Sequence, residues 1–201
     1  MTINIPTIVE GQGEVRALPI LLRRLGELYF PECHIQIPAP HRLPRGKMMN
    51  RPDELKRAIR LAAAKGGSPS KAFIIILLDS DDDCPSELGR RLTTEAQCAR
   101  PDFPISVSLA VREFESWIIA SADSLGGTHH FPSEIKAPEN PDTIRDAKGW
   151  IKQKSLRKNY SETIDQPRFV AQIDIEAARK GSRSFERFCK KFELMTAALV
   201  K

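Results

Sequence analysis

Residues 72–85 read AFIIILLDSDDDCP, and they limit the possible folds more than any other stretch of the chain. Six consecutive large apolar residues, 73–78, run straight into Asp79, Ser80, Asp81, Asp82 and Asp83. The run is far short of the ~20 residues that span a bilayer. Its β-branched side chains suit a strand buried on both faces. Such strands belong to parallel sheets covered by helices, whose ligands bind at the carboxyl ends of the strands. Here that end carries four acids in five residues. Carboxylates ~4 Å apart repel by about 1 kcal/mol even in water, so acids fixed together must hold a proton or a cation. Magnesium, which takes carboxylate and water oxygens, suits them. A solvated turn capping the next helix is the plainer reading of the same residues.

The flanking pattern extends the sheet. A β-rich run at 3–9 ends in Glu10, followed by Gly11-Gln12-Gly13-Glu14. Leu18, Leu21, Leu22, Leu25 and Leu28 recur at helical spacing, and Pro19 predicts a helix start near 15–18, with the proline in the first turn. Residues 33–37 are expected to form a second strand. Residues 41–51 read as a loop carrying His41, Arg42, Arg45, Lys47 and Arg51, and 52–65 as a helix. After the acids, Pro85 opens a helix running to Arg100, residues 104–111 form a fourth strand, and 112–120 open another helix. Strands alternating with helices of this length predict an α/β domain over residues 1–126: a mostly parallel four-stranded sheet sandwiched by helices. Beyond Gly126 the texture changes. Residues 127–201 read as a C-terminal helical extension packed back on the sheet, with helices at 141–153, 166–180 and 184–200. Phe185, Phe188 and Phe192 share one face of the last.

Charge is unevenly spread. Residues 1–71 hold 12 Lys+Arg against 6 Asp+Glu, residues 72–130 hold 4 against 10, and residues 131–201 hold 15 against 10. An acidic centre between basic flanks is the arrangement expected of a metal site acting on a polyanion, although single basic residues commonly just coat helices. The four cysteines are scattered, without metal-ligand spacing, so reduced thiols in a cytoplasmic protein are expected. Neither a secretory signal nor a membrane span is legible.

In a parallel sheet, Glu10 after the first strand and Asp79 and Asp81 after the third reach the same rim across ~70 residues of chain. Glu14, Glu113 and Glu115 fall there too. Acids around one or two divalent ions polarise a phosphate, activate water and stabilise a leaving oxygen. A glutamate after strand one (IVEG) with Asp-x-Asp after a later strand (LLDSD) resembles the TOPRIM domain, and the Glu10-to-Glu14 spacing is most similar to its OLD-type nuclease branch. Nearly the whole chain resembles a bacterial TOPRIM-like family known as a domain of unknown function. The shared motifs are VEGxGEVxALPxLLRRL, LLDxDDDCP, VREFExW, DAKGWI, YSETxDQP and SxSFxRF, and all occur between residues 9 and 188.

That resemblance implies Mg²⁺- or Mn²⁺-dependent phosphodiester hydrolysis of DNA or RNA. Glu10, Asp79 and Asp81 would be metal ligands, Asp83 and Glu113 further acids of the metal site, and Glu14 and Glu115 catalytic carboxylates. A late lysine, for which Lys148 in DAKGW is the candidate, would neutralise transition-state charge. The same resemblance implies a nuclease subunit of a bacterial anti-phage defence system. It would work beside a separate ATPase, since the chain carries no P-loop, and homo-oligomerisation fits it as well. Arg42, Arg45, Lys47 and Arg51 are candidates for gripping nucleic-acid phosphates. Only Tyr29 and Tyr160 are tyrosines, both in structural contexts, which argues against strand passage. A phosphatase of the haloacid-dehalogenase type leaves Glu10 without a role. A non-catalytic TOPRIM-like binding or regulatory subunit keeps the same carboxylates. Trp117 and Trp150 read as packing rather than base-stacking residues, His129-His130 as surface, and Cys84 lacks a histidine to activate it.

Overall fold

The computed structural model describes residues 1–128 and 131–200. In chain order the elements are β1 (Thr2–Asn4), β2 (Thr7–Val9), α1 (Gln12–Tyr29), β3 (His34–Gln36), β4 (His41–Arg42), α2 (Arg45–Asn50), α3 (Pro52–Gly66), β5 (Ile74–Asp79), α4 (Pro85–Ala99), β6 (Ile105–Ala110), α5 (Glu115–Ile119), α6 (Ala147–Lys154), α7 (Asp165–Val170), α8 (Ile175–Gly181) and α9 (Arg183–Val200). Short 3₁₀ turns at Ala122–Leu125 and Pro141–Thr143 lie between α5 and α6. The central sheet has the order β4-β2-β5-β6 and every pairing in it is parallel. Helices cover both faces, giving a Rossmann-like α/β fold.

Strand β5 sits between β2 and β6, and its side chains, with Phe73 just before it, feed two separate cores. Phe73, Ile75 and Leu77 meet α1 and the C-terminal helices, while Ile74, Ile76 and Leu78 meet α3 and α4. Each such side chain, taken fully out of water, contributes about 1.5–3 kcal/mol. The segment after Gly126 belongs to the first of these cores, through Phe169, Phe185, Phe188 and Phe192 among others. Trp117 is 1 % exposed, lies 4.9 Å from the Phe188 ring and donates from Nε1 to Ser184 Oγ at 2.7 Å. It is a packing residue. No helix among the described residues is long and apolar enough to cross a membrane.

Several local expectations change. The run at 3–9 is two strands broken at Pro6, which has no N–H for a ladder. β1 pairs with β3 in a separate two-stranded sheet, and β2 alone enters the central one. The strand expected at 33–37 is therefore not in the main sheet. Its place at the edge is taken by the two residues of β4, within the expected loop, whose remainder forms α2. A two-residue strand leaves no periodic signal.

Helix α1 begins at Gln12, so Pro19 lies inside it rather than in its first turn. The ~3 kcal/mol a proline costs there is offset by Leu18, Leu21, Leu22 and Leu25, all fully buried. The long helix expected at 166–180 is interrupted. Asp174 accepts a hydrogen bond from the Ala177 N–H at 2.9 Å and starts α8 anew. Likewise, 141–153 is a 3₁₀ turn followed by α6, and the helix after β6 is confined to α5.

Candidate functional site

Strands β2, β5 and β6 end on one side of the sheet. Val9 pairs with Leu77 and Asp79 with Ala110, so Glu10, Asp79 and the segment 112–115 emerge together. Gly11 follows Glu10, and a Cβ there would lie 2.3 Å from Glu14 Oε2, so only glycine lets the Glu14 carboxylate fold against the strand end. Asp79 Oδ1 accepts a hydrogen bond from the Phe114 N–H at 2.8 Å. The two turns beyond β5 and β6 are tied by Asp81 N–H to Arg112 O at 3.1 Å and by Arg112 N–H to Ser80 Oγ at 3.0 Å. Asp81 (φ 47°) and Arg112 (φ 64°) are both left-handed, which an aspartate tolerates and an arginine adopts only under constraint.

Three segments remote in sequence close over these acids. Glu115 is fully buried, and its Oε1 accepts from Tyr160 Oη at 2.7 Å and Gln166 Nε2 at 3.2 Å. Gln166 in turn occupies the space left by Gly13, where a Cβ would stand 2.2 Å from its Oε1. Lys148 Nζ lies 3.9 Å from Glu115 Oε2 and 3.3 Å from Glu162 Oε1, and the Lys148 N–H donates to Glu113 Oε2 at 3.1 Å. Asp146 caps the same helix by accepting from the Gly149 N–H at 2.7 Å. The motifs VREFE, DAKGW and YSETIDQP therefore meet at one place.

The electrostatics of this inner group are those of crowded acids. Burial, reinforced by Glu14, Glu115 and Glu10, raises Asp79 well above the usual carboxylate range, against the pull of Lys148. Burial pushes Glu115 up to about 7, although Lys148 and the Tyr160 hydroxyl favour its ionised form. Burial also raises Glu14 and Glu113, each partly offset by Lys148. Glu10 is raised by burial too, with Arg45 opposing and Asp81 and Glu14 adding to the rise. Burial works against the Lys148 charge, yet Glu115, Asp79, Glu162 and Glu113 together raise its pKa.

The acids further out behave differently. Asp81, Asp82 and Asp83 are exposed and ion-paired: Arg45 with Asp81 at 3.2 Å and with Asp83, Arg112 with Asp82, and Arg145 with Asp82 at 3.4 Å. Arg45 also donates to the Asp79 carbonyl at 2.6 Å and stands 3.9 Å from Glu10 Oε2. It is thus placed over the acids and not on a free loop. Arg42 donates to the Glu10 carbonyl at 3.2 Å, whereas Lys47 and Arg51 project into solvent. Cys84 is exposed, with Ser86 beside it, and Trp150 is half-buried. His129-His130 lies outside the described residues.

The chemistry of the buried carboxylate oxygens, though not their present spacing, suits a divalent ion. Glu10 Oε2, Glu14 Oε2 and Glu115 Oε2 are buried without a hydrogen-bond partner, and unpartnered buried carboxylate oxygens are the hard donors magnesium and manganese take. Among the described residues, no three acid, His or Cys side chains are gathered into a ready-made metal-binding group, and the Arg45 and Lys148 cations stand among the carboxylates instead.

The sequence profile of the family described as Domain of unknown function (DUF4276) matches residues 9–193. The chain belongs to DUF4276. No curated protein and no solved structure matches it. The DUF4276 span contains every side chain named at this site, from Glu10 through Gln166, so the covering helices are as much part of the DUF4276 unit as the sheet.

Tyr160, Glu162 and Gln166 were not assigned a role by sequence reasoning. The available signal was the cluster of polar residues YSETIDQP, whose distance from the acids in the chain hides its place beside Glu115.

Proposed function

We propose that this protein is a magnesium- or manganese-dependent phosphodiesterase acting on nucleic acid, with Glu10, Glu14 and Asp79 as the residues that would hold the ion. One observation carries the reading: carboxylates at the ends of three parallel strands and at the start of α1 act on one another, and Glu10, Glu14 and Glu115 each keep a buried oxygen without a hydrogen-bond partner. The chemistry such an ion supplies is polarisation of a phosphodiester and activation of water. The resemblance of IVEG and LLDSD to the TOPRIM pattern, and of the Glu10–Glu14 spacing to its OLD-type nuclease branch, supports the same reading.

The chain's own residues supply the rest. Glu115, held near 7, changes protonation in the range a general acid or base needs. Tyr160 and Gln166 fix its orientation through Oε1. Lys148 keeps its charge beside these acids and balances negative charge that develops there. Arg45 and Arg112, on the outer aspartates, are within the site's mouth and can exchange those carboxylates for substrate phosphate. A nuclease subunit that depends on a separate ATPase chain is consistent with this site.

The presence of Arg45 and Lys148 among the acids favours one second reading, a subunit that binds nucleic acid without cutting it. The deciding measurement is cleavage of plasmid, single-stranded DNA and tRNA, with and without Mg²⁺ or Mn²⁺, by the wild type and by Glu10→Ala. Metal-dependent cutting that Glu10→Ala abolishes is the expected result. Cutting that survives Glu10→Ala, or none under any condition, overturns the hydrolase.

A further inference from the structure

Next to the acid rim a cavity of about 360 Å³ opens between α4 and α9, along β6. None of its lining residues belongs to the site described above. β6 is an outer strand of the central sheet, so one of its backbone edges has no neighbouring strand. Three cations stand on the two walls, Arg90 from α4 and Arg187 and Lys191 from α9. None of the three has a carboxylate partner within ion-pair distance, and no acid lines the cavity, among the described residues. Arg187 and Lys191 lie one helical turn apart, where like charges repel. A fold that keeps such a group unneutralised on facing walls is arranged for an anion from outside.

Two further features say what kind of anion. Ser108 of β6 lines the cavity, is 3 % exposed, and its hydroxyl has no hydrogen-bond partner. It is a buried hydroxyl with unused hydrogen-bonding capacity on the strand between the two cationic walls. Beside it the lining is apolar, with Val107, Leu109 and Val111. The groove also has a direction. Its residues Val111 and Pro85 adjoin Arg112 and the Asp83-Cys84 turn, so its upper end leads to the carboxylates.

We propose that this groove holds the sugar–phosphate backbone of a single nucleic-acid strand, whose next phosphodiester reaches the acid rim. The proposal rests on the phosphodiesterase reading and names the path of its substrate. Phosphates meet the three cations and the Ser108 hydroxyl, and sugars lie against the apolar lining. Addition of a peptide strand along β6 fits less well. The Lys191 ammonium already donates to the Val107 carbonyl, taking one acceptor of that edge, and a peptide backbone brings no charge to match three cations.

The test is binding of a fluorescein-labelled oligothymidylate to the full chain in EDTA, followed by anisotropy across a salt series. The wild type is expected to bind with a strong salt dependence. Arg90→Ala with Arg187→Ala should weaken binding at least tenfold and lower the salt slope by about 0.7 for each cation removed. Arg187→Lys should restore most of the affinity, and Lys152→Ala, on α6 outside the groove, should change nothing. Both groove arginines are exposed, so the variants should keep the wild-type melting temperature. Unchanged binding in the double variant overturns the groove, and so does a wild type that is dimeric and binds no oligonucleotide. The two readings fail separately. Cutting abolished by Glu10→Ala but indifferent to Arg90 and Arg187 removes the groove alone. Binding that follows Arg90 and Arg187, with no cutting in any metal, removes the hydrolase alone.

Discussion

The inner and outer carboxylates at the strand ends have the same chemical groups and opposite surroundings. Glu14, Asp79 and Glu115 all have raised pKa values, and Glu14 and Glu115 each keep a buried oxygen without a hydrogen-bond partner. Asp81, Asp82 and Asp83 lie in solvent, each matched by an arginine. Exposed ion pairs are worth at most about 1 kcal/mol, so the outer acids are close to neutral for folding. The inner acids oppose folding when ionised, which is tolerable only if another charge, such as a bound cation, offsets them. The conspicuous Asp run thus marks the mouth of the site, and the single glutamates mark its interior.

The sharpest way to break that contrast is a pair of substitutions. Asp79→Asn should reduce metal-dependent cleavage at least a thousandfold, whereas Asp82→Asn should leave the rate within about threefold, both read on a single-stranded substrate. Equal losses would mean that inner and outer acids do one job.

A smaller effect, in stability, follows from pH. The folded-state pKa of Glu115, about 7, lies above its ordinary value of 4.5. Its contribution is therefore fully present below pH 4.5, falls as pH rises towards 7, and stays lost above that. The shift corresponds to about 3 kcal/mol. Metal-free wild type should accordingly unfold in lower urea at pH 8 than at pH 5, and Glu115→Gln should flatten that dependence. A profile for Glu115→Gln that parallels the wild type would place the charge strain elsewhere.

The meeting of Glu10 and Asp79 at one rim was legible in the sequence, and the reason is local. Asp79 follows an unbroken apolar strand, Glu10 follows another, and parallel strands deliver their ends to one rim. The four-stranded parallel sheet under helices was readable on the same basis. What escaped depended on long-range contacts with no periodic signature. The pairing of β4 with β2 needs only two residues, and α1 absorbs Pro19 because its leucines are buried on a surface the helix itself cannot reveal. Tyr160 reaches Glu115 across 45 residues, and Arg45 turns from a loop cation into a partner of three acids. Burial separates Asp79 from Asp82, and spacing along the chain does not encode burial.

Tyr160 offers a finer cut through the inner group. Its hydroxyl donates to the buried Glu115, and a hydrogen bond to a charged group contributes about 1.5–3 kcal/mol. Tyr160→Phe should destabilise the protein by about 2 kcal/mol at pH 8, where Glu115 is ionised, and by clearly less at pH 5. Equal losses at both pH values, measured by urea unfolding, would assign the effect to ring packing.

The smallest effect belongs to Arg45, which touches both groups. Removing it frees exposed Asp81 and Asp83 at little cost, but it also withdraws the positive charge that opposes the rise in the Glu10 pKa. Arg45→Ala should therefore lower metal-free stability by about 1 kcal/mol or less. The direction of the response to magnesium is more telling than its size. If Glu10 is part of a cation site, a divalent ion binds more tightly once the competing guanidinium has gone. Millimolar Mg²⁺ should then raise the melting temperature of Arg45→Ala more than that of the wild type. Arg112→Ala, whose guanidinium bonds the Asp82 carboxylate and the Asp81 carbonyl and has no ion pair with Glu10 among the described residues, should respond to Mg²⁺ as the wild type does. Identical shifts for Arg45→Ala and the wild type would mean that the guanidinium and the ion do not compete, and that Glu10 belongs with the outer acids after all.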